Sequence, residues 1–124
     1  MGEYSFRKEE RLSKEKDIQE LFKKGSSFYL YPFKIILRVN PDKSFLQHQV
    51  LISVPARNFK RAVDRNLLKR RIREAYRLNK AIISHKQKLM IAYIYTPKEI
   101  LTFDQIQERL VKAFKKFDLH EEKN

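Results

Sequence analysis

Arg61-Ala62-Val63-Asp64-Arg65-Asn66-Leu67-Leu68-Lys69-Arg70-Arg71-Ile72-Arg73-Glu74-Ala75-Tyr76-Arg77-Leu78-Asn79-Lys80-Ala81-Ile82-Ile83 is the stretch on which the fold turns. At about 100° per residue, Leu67, Leu68, Ile72, Ala75, Tyr76, Leu78 and Ile82 fall on one side. Arg65, Asn66, Lys69, Arg70, Arg73, Arg77 and Lys80 fall within roughly 140° on the other. The period predicts one amphipathic helix over about 61 to 83, with Arg71 inside the apolar sector and obliged to snorkel or lie at its edge. On both sides of it the period drops to 2. His48 to Val54 sets Val50, Ile52 and Val54 against Gln49, Leu51 and Ser53, and Pro55 ends the run. Leu89 to Tyr95 is almost wholly apolar, the pattern of a strand buried on both faces, and Thr96-Pro97 ends it.

Further out, Phe33, Ile35, Leu37 and Val39 alternate with Lys34, Ile36 and Arg38, and Asn40-Pro41-Asp42-Lys43 is turn chemistry. The two alternating segments are expected to pair as antiparallel neighbours, with a short strand at 27 to 31 before them. A short helix over about 14 to 24 is expected from Ser13 as N-cap, Glu15 and Asp17 in the first turn, and Ile18, Leu21 and Phe22 at helical spacing before Gly25. Thr102-Phe103-Asp104-Gln105 fits a capping box, followed by Phe103, Ile106, Leu110, Ala113, Phe114 and Phe117 on one face. Residues 1 to 11 are expected to be a flexible basic arm and 118 to 124 a frayed tail. The order helix, strands, helix, strand, helix describes one α+β domain over 1 to 124.

The 124 residues hold 28 Lys+Arg against 15 Asp+Glu, a formal net charge of +13. Ten of those cations and only two acids lie between Arg57 and Lys80, a net +8 in 24 residues. Such self-repulsion is relieved by a polyanion. A merely solvated helix face mixes the two signs and this one does not, so nucleic acid is favoured over an anionic membrane. The longest apolar run is far below the roughly 20 residues of a transmembrane helix, and no signal-peptide segment opens the chain, so a cytoplasmic protein with no membrane partner is expected. There is no cysteine for a disulfide, a thiolate zinc site or a nucleophile. His48, His85 and His120 stand apart, His48 reading as a core or edge residue of its strand, and two glycines cannot build a phosphate loop. The chain is expected to perform no chemistry itself.

What remains is a binding apparatus in two parts. Arginines of the stripe can grip phosphates bidentately, and Asn66 among them can reach a sugar or base edge. The second part is the open strand face, where Lys34, Ile36 and Arg38 beside Gln49, Leu51 and Ser53 offer an apolar centre flanked by cations, a surface for single-stranded nucleic acid. Phe22 either supplies an aromatic wall to it or simply packs on the sheet. A basic helix flanked by strands, with no short helix and tight turn before it, speaks against a helix-turn-helix DNA binder.

Residues 61 to 74 resemble the signature of the protein component of bacterial ribonuclease P: Ala-Val, any residue, Arg-Asn-Arg, any residue, Lys-Arg, two residues, Arg-Glu. With Arg11-Leu12, Phe22 before Gly25, Ser53-Val54, the 89 to 95 strand and the Thr102 helix, the resemblance spans about 6 to 117. Leu67 replaces the last Arg of Arg-Asn-Arg, Lys60 stands where many members have Gly, and Ile18 and Ile36 stand where members often carry aromatics. The resemblance implies an α+β sandwich with a small central sheet and a left-handed βαβ crossover, against the usual hand. It implies that Arg65, Asn66, Lys69, Arg70 and Arg73 bind a catalytic RNA subunit, and Arg77 of the same stripe and Arg61 at the start of the helix are expected to bind RNA with them. Ile18, Phe22, Lys34, Ile36, Arg38 and Ser53 would line a cleft for the single-stranded 5′ leader of precursor tRNA. It further implies that the RNA performs the hydrolysis with Mg²⁺, that the protein, a monomer, binds no cofactor of its own, and that it nonetheless counts as an enzyme subunit. A ribosomal or ribosome-associated RNA-binding protein shares the charge and the missing catalytic groups, and stands as the alternative.

Overall fold

A computed structural model describes residues 8–117. The chain runs α1 (Glu15–Lys24), β1 (Ser26–Leu30), β2 (Phe33–Val39), β3 (Gln49–Ser53), α2 (Ala62–Asn79), β4 (Leu89–Tyr95) and α3 (Phe103–Phe114). The four strands form one sheet in the order β1-β2-β4-β3. β4 pairs antiparallel with β2, from Phe33↔Tyr95 to Val39↔Leu89, and parallel with β3, from Gln49↔Met90 to Ser53↔Ile94. The expectation that β2 and β3 are antiparallel neighbours is therefore wrong, because β4 lies between them. The strand apolar on both faces takes the centre, where it gains a partner on each edge, and the shorter alternating β3 is left at the margin.

One face of the sheet is dry. Phe33, Ile35 and Leu37 of β2, Val50 of β3, and Leu89, Ile91, Tyr93 and Tyr95 of β4 pack under two helices. From α2 come Leu68, Ile72, Ala75 and Tyr76, and from α3 and its end Ile106, Leu110, Ala113, Phe114 and Phe117. Edge-on ring contacts such as Tyr76–Phe114 at 5.9 Å and Phe114–Phe117 at 5.7 Å fill it. The Thr102/Gln105 capping box closes the start of α3. Arg71 snorkels, its Nη1 donating to the Leu101 carbonyl at 2.6 Å. Leu78 and Ile82, read as core, are exposed. The helix ends at Asn79 and a 3-10 turn over Lys80–Ile82 follows, so the tighter winding rotates Ile82 outward and brings Ile83 in.

The other face carries α1 alone. Its Leu21, with Leu12, covers Ile36, Met90 and Ala92, while Ile18, Leu51 and Ile94 pack around them. Gly25 permits this approach: a Cβ there would lie 2.6 Å from the Leu21 carbonyl oxygen and 2.9 Å from Ile36 Cγ2. The helix cap is Lys14 and makes no side-chain cap bond, so Ser13 does not serve as N-cap.

The stretch 8–11, expected within a flexible arm, is held in place. Lys8–Glu10 form a 3-10 turn, Arg11 bridges Val50 in parallel, and the Leu12 N–H donates to the Val50 carbonyl at 2.9 Å. Glu10 is buried and accepts from Lys80 Nζ at 2.7 Å. Such a pair persists where each charge has its partner. The remainder of that arm, 1–7, and the tail 118–124 lie outside the described residues.

Candidate nucleic-acid interface

The first surface is the outer side of α2. Arg61, Asn66, Arg70 and Arg73 are exposed, while Arg65, Lys69 and Arg77 are half-buried. Arg65 has a structural duty as well: its Nη1 donates to the carbonyls of Phe59 at 2.6 Å and Lys60 at 3.1 Å, pinning the turn that leads into the helix. Arg77 donates through Nε to Glu74 at 3.1 Å, and that guanidinium holds the Glu74 carboxyl below its ordinary range. Lys80, read as part of the stripe, is turned to Glu10 instead. The remaining stripe is a line of cations with Asn66 among them and only Asp64 and Glu74 to offset it.

The second surface is the α1 side of the sheet, and the pairing registers fix its layout. Going across the strands, one row is Ser27, Ile36, Ala92 and Leu51, and the next is Tyr29, Lys34, Ile94 and Ser53. Lys34 and Arg38 are thus not beside Gln49 and Ser53, because Met90, Ala92 and Ile94 of β4 come between. Ile36, read as the open floor of the cleft, is only 6% exposed. The apolar side of α1 needs cover and takes it from Ile36, which removes that side chain from solvent. Ile18 is half-buried in the same cluster. Arg38 is half-buried and its Nη1 lies 3.3 Å from Glu20 Oε1, which also meets Lys24 Nζ at 3.3 Å. These cations, Lys24 before Arg38, hold the Glu20 carboxyl below its usual range.

Phe22, on the same helix, is 48% exposed, so it does not simply pack on the sheet. Lys34 is exposed and Ser53 half-buried at the end of β3. A groove of about 230 Å³ opens along the β3 edge between Arg11, Ser13, Leu51 and Arg73. It joins the helix stripe to the sheet face.

Three contributors escaped the sequence reading. Tyr29 and Ile94 enter the second row only through the β1–β2 and β2–β4 registers, and Arg11 reaches β3 only through the bridge to Val50. The alternation at 27 to 31 was the one available signal, and it cannot by itself say which residues lie opposite. Elsewhere, His48 precedes β3, is half-buried, and accepts the Leu89 N–H on Nδ1 at 2.9 Å. Burial, then the neighbouring charges of Lys88 and His85, pulls its pKa from 6.5 down to about 4. It is a neutral structural acceptor. Among the described residues, no group of three His, Asp or Glu side chains could hold a metal ion, and no helix is long and apolar enough to cross a membrane.

Residues 6–118 match the family described as Ribonuclease P. The chain is 35% identical over 120 residues to the ribonuclease P protein component of Dictyoglomus turgidum, covering 94% of this chain and 95% of that one. It is 30% identical over 115 residues to the same component of Porphyromonas gingivalis, covering 89% and 84%. Among solved structures it is similar to the RNase P protein of Staphylococcus aureus, with a TM-score of 0.73 and 31% identity over 90% of this chain and 97% of that one. It is similar also to the protein from Thermotoga maritima, with a TM-score of 0.72 and 29% identity over 86% and 96%.

Proposed function

We propose, from the premise that this chain belongs to the ribonuclease P protein family, that it assembles through α2 with a catalytic RNA subunit and receives the single-stranded 5′ leader of precursor tRNA on the α1 side of its sheet. Arg61, Asn66, Lys69, Arg70 and Arg73 supply phosphate and sugar contacts along the helix, with Arg65 and Arg77 contributing from half-buried positions. On the sheet side, Lys34 supplies a phosphate contact, Phe22 a stacking face and Ser53 a polar edge, over the apolar floor of Ile94 and Ile18. Hydrolysis belongs to the RNA and its Mg²⁺, and the protein works as a monomer in the cytoplasm, raising affinity for precursor over mature tRNA.

The observation that supports this reading best is Phe22. Leu21 beside it is fully buried, yet Phe22, on the helix that lies over this face, keeps 48% of its surface exposed. On the side of the sheet that carries the cation of Lys34, a half-exposed aromatic offers a face on which an unpaired base can stack. The test is cleavage of precursor tRNA at low Mg²⁺ with the protein alone, the RNA subunit alone, and both. Full activity only in the mixture is expected, and cleavage by the protein alone would overturn the reading. Phe22→Ala with Lys34→Ala should weaken precursor binding while mature tRNA binding and RNA assembly hold.

A further inference from the structure

Tyr29 is the most exposed aromatic among the described residues, at 59%, and it is not a loose one. Phe28 before it turns to the dry face and meets the Phe117 ring at 6.3 Å, so alternation sends Tyr29 to the α1 side. There it stands opposite Lys34 on β2. Its hydroxyl reaches Thr96 Oγ1 at 3.1 Å, just past the end of β4, where the Thr96 N–H donates to the Pro32 carbonyl ahead of β2. The side chain is thus tied at its tip across the start of β2 while the residue stays 59% exposed. Tyr31 is held in a like manner, its hydroxyl donating to the Glu99 carboxylate while the ring remains 38% exposed. A tethered ring loses little freedom when something settles on it, which is the advantage of a preformed platform.

This row lies one two-residue strand repeat, about 6.6 Å, from the Ser27–Ile36 row against which Gly25 at the end of α1 packs. The spacing suits a further nucleotide of an extended single strand, and the cation beside the ring suits its phosphate. We propose that Tyr29, with Lys34 beside it, is a second stacking step for unpaired RNA, separate from Phe22, which lengthens the stretch of leader the protein holds. The proposal rests on the reading that this face takes a leader. It follows from continuity with that surface, from the ammonium opposite the ring, and from the +13 charge that selects a polyanion.

The test uses the protein assembled with its RNA subunit and precursor tRNAs whose leaders are lengthened one nucleotide at a time. Wild type should gain affinity in steps. Tyr29→Ala should remove the gain of the longer leaders, about five- to tenfold, with the loss absent from the shortest. Tyr29→Phe keeps the ring and should retain most of the gain. Phe22→Ala on the same series separates the two failures. If Phe22→Ala shows a leader-dependent loss and Tyr29→Ala follows wild type at every length, the second step is overturned and the leader surface stands. If both variants follow wild type, the leader reading falls and the proposal with it. An equal loss by Tyr29→Ala at every leader length, or a changed sedimentation of the protein alone, assigns the ring to the fold or to self-association and also overturns the proposal.

Discussion

On β4, Ile91, Tyr93 and Tyr95 look into a core closed by two helices, whereas Met90, Ala92 and Ile94 of the same strand lie under a single ten-residue helix. The first face is filled with interlocking rings and excludes water. The second mixes a small apolar patch with Lys34, Arg38, Phe22 and Tyr29. One strand thus serves two purposes at alternate residues. The face that two helices cover holds the molecule together, and the half-covered one keeps cations and aromatic surface open to solvent.

The largest expected difference is between neighbours on that strand. Ile91→Ala should cost about 4 kcal/mol, because the cavity is walled on every side, and Met90→Ala about 2 kcal/mol, because α1 can settle into the gap. Equal losses in denaturant unfolding would erase the distinction between the faces. Next comes Gly25→Ala, which drives a methyl against the Leu21 carbonyl and Ile36 and should cost about 2 kcal/mol by displacing α1. A shifted Phe22 should then also weaken leader binding, so both readouts should move together.

Acid should act through His48. Its folded pKa of about 4 lies below the ordinary 6.5, so the unfolded chain takes up the proton first. Its contribution is present in full above about pH 6.5 and is lost as pH falls toward 4. Thermal melts across that window should show the decline, and His48→Gln should flatten it. The interface variants are expected to be the quietest in stability. Arg73→Ala should change folding by less than about 0.5 kcal/mol while making the plot of log affinity against log salt shallower by about one contact. Arg65→Ala should do the same to the salt slope but also cost about 1 kcal/mol of stability, since it releases the Phe59 and Lys60 carbonyls. A matched stability for the two arginine variants would show that the turn needs no such tie.

The local periods of the sequence determined the elements, the dry face of β2, the burial of β4 on both faces, the capping box at Thr102 and the basic side of α2. Each of these depends on residues within a few positions of one another, and spacing of 2 or 3.6 reports them directly. Tertiary structure decided the rest: that β4 separates β2 from β3, that Ile36 is buried beneath α1, that Glu10 draws Lys80 out of the stripe, and that Tyr29 stands beside Lys34. These are contacts between segments distant along the chain. Alternation along one strand says which side a residue faces but not which strand lies next to it or what covers it, so partnership is settled only when the whole apolar surface is packed at once.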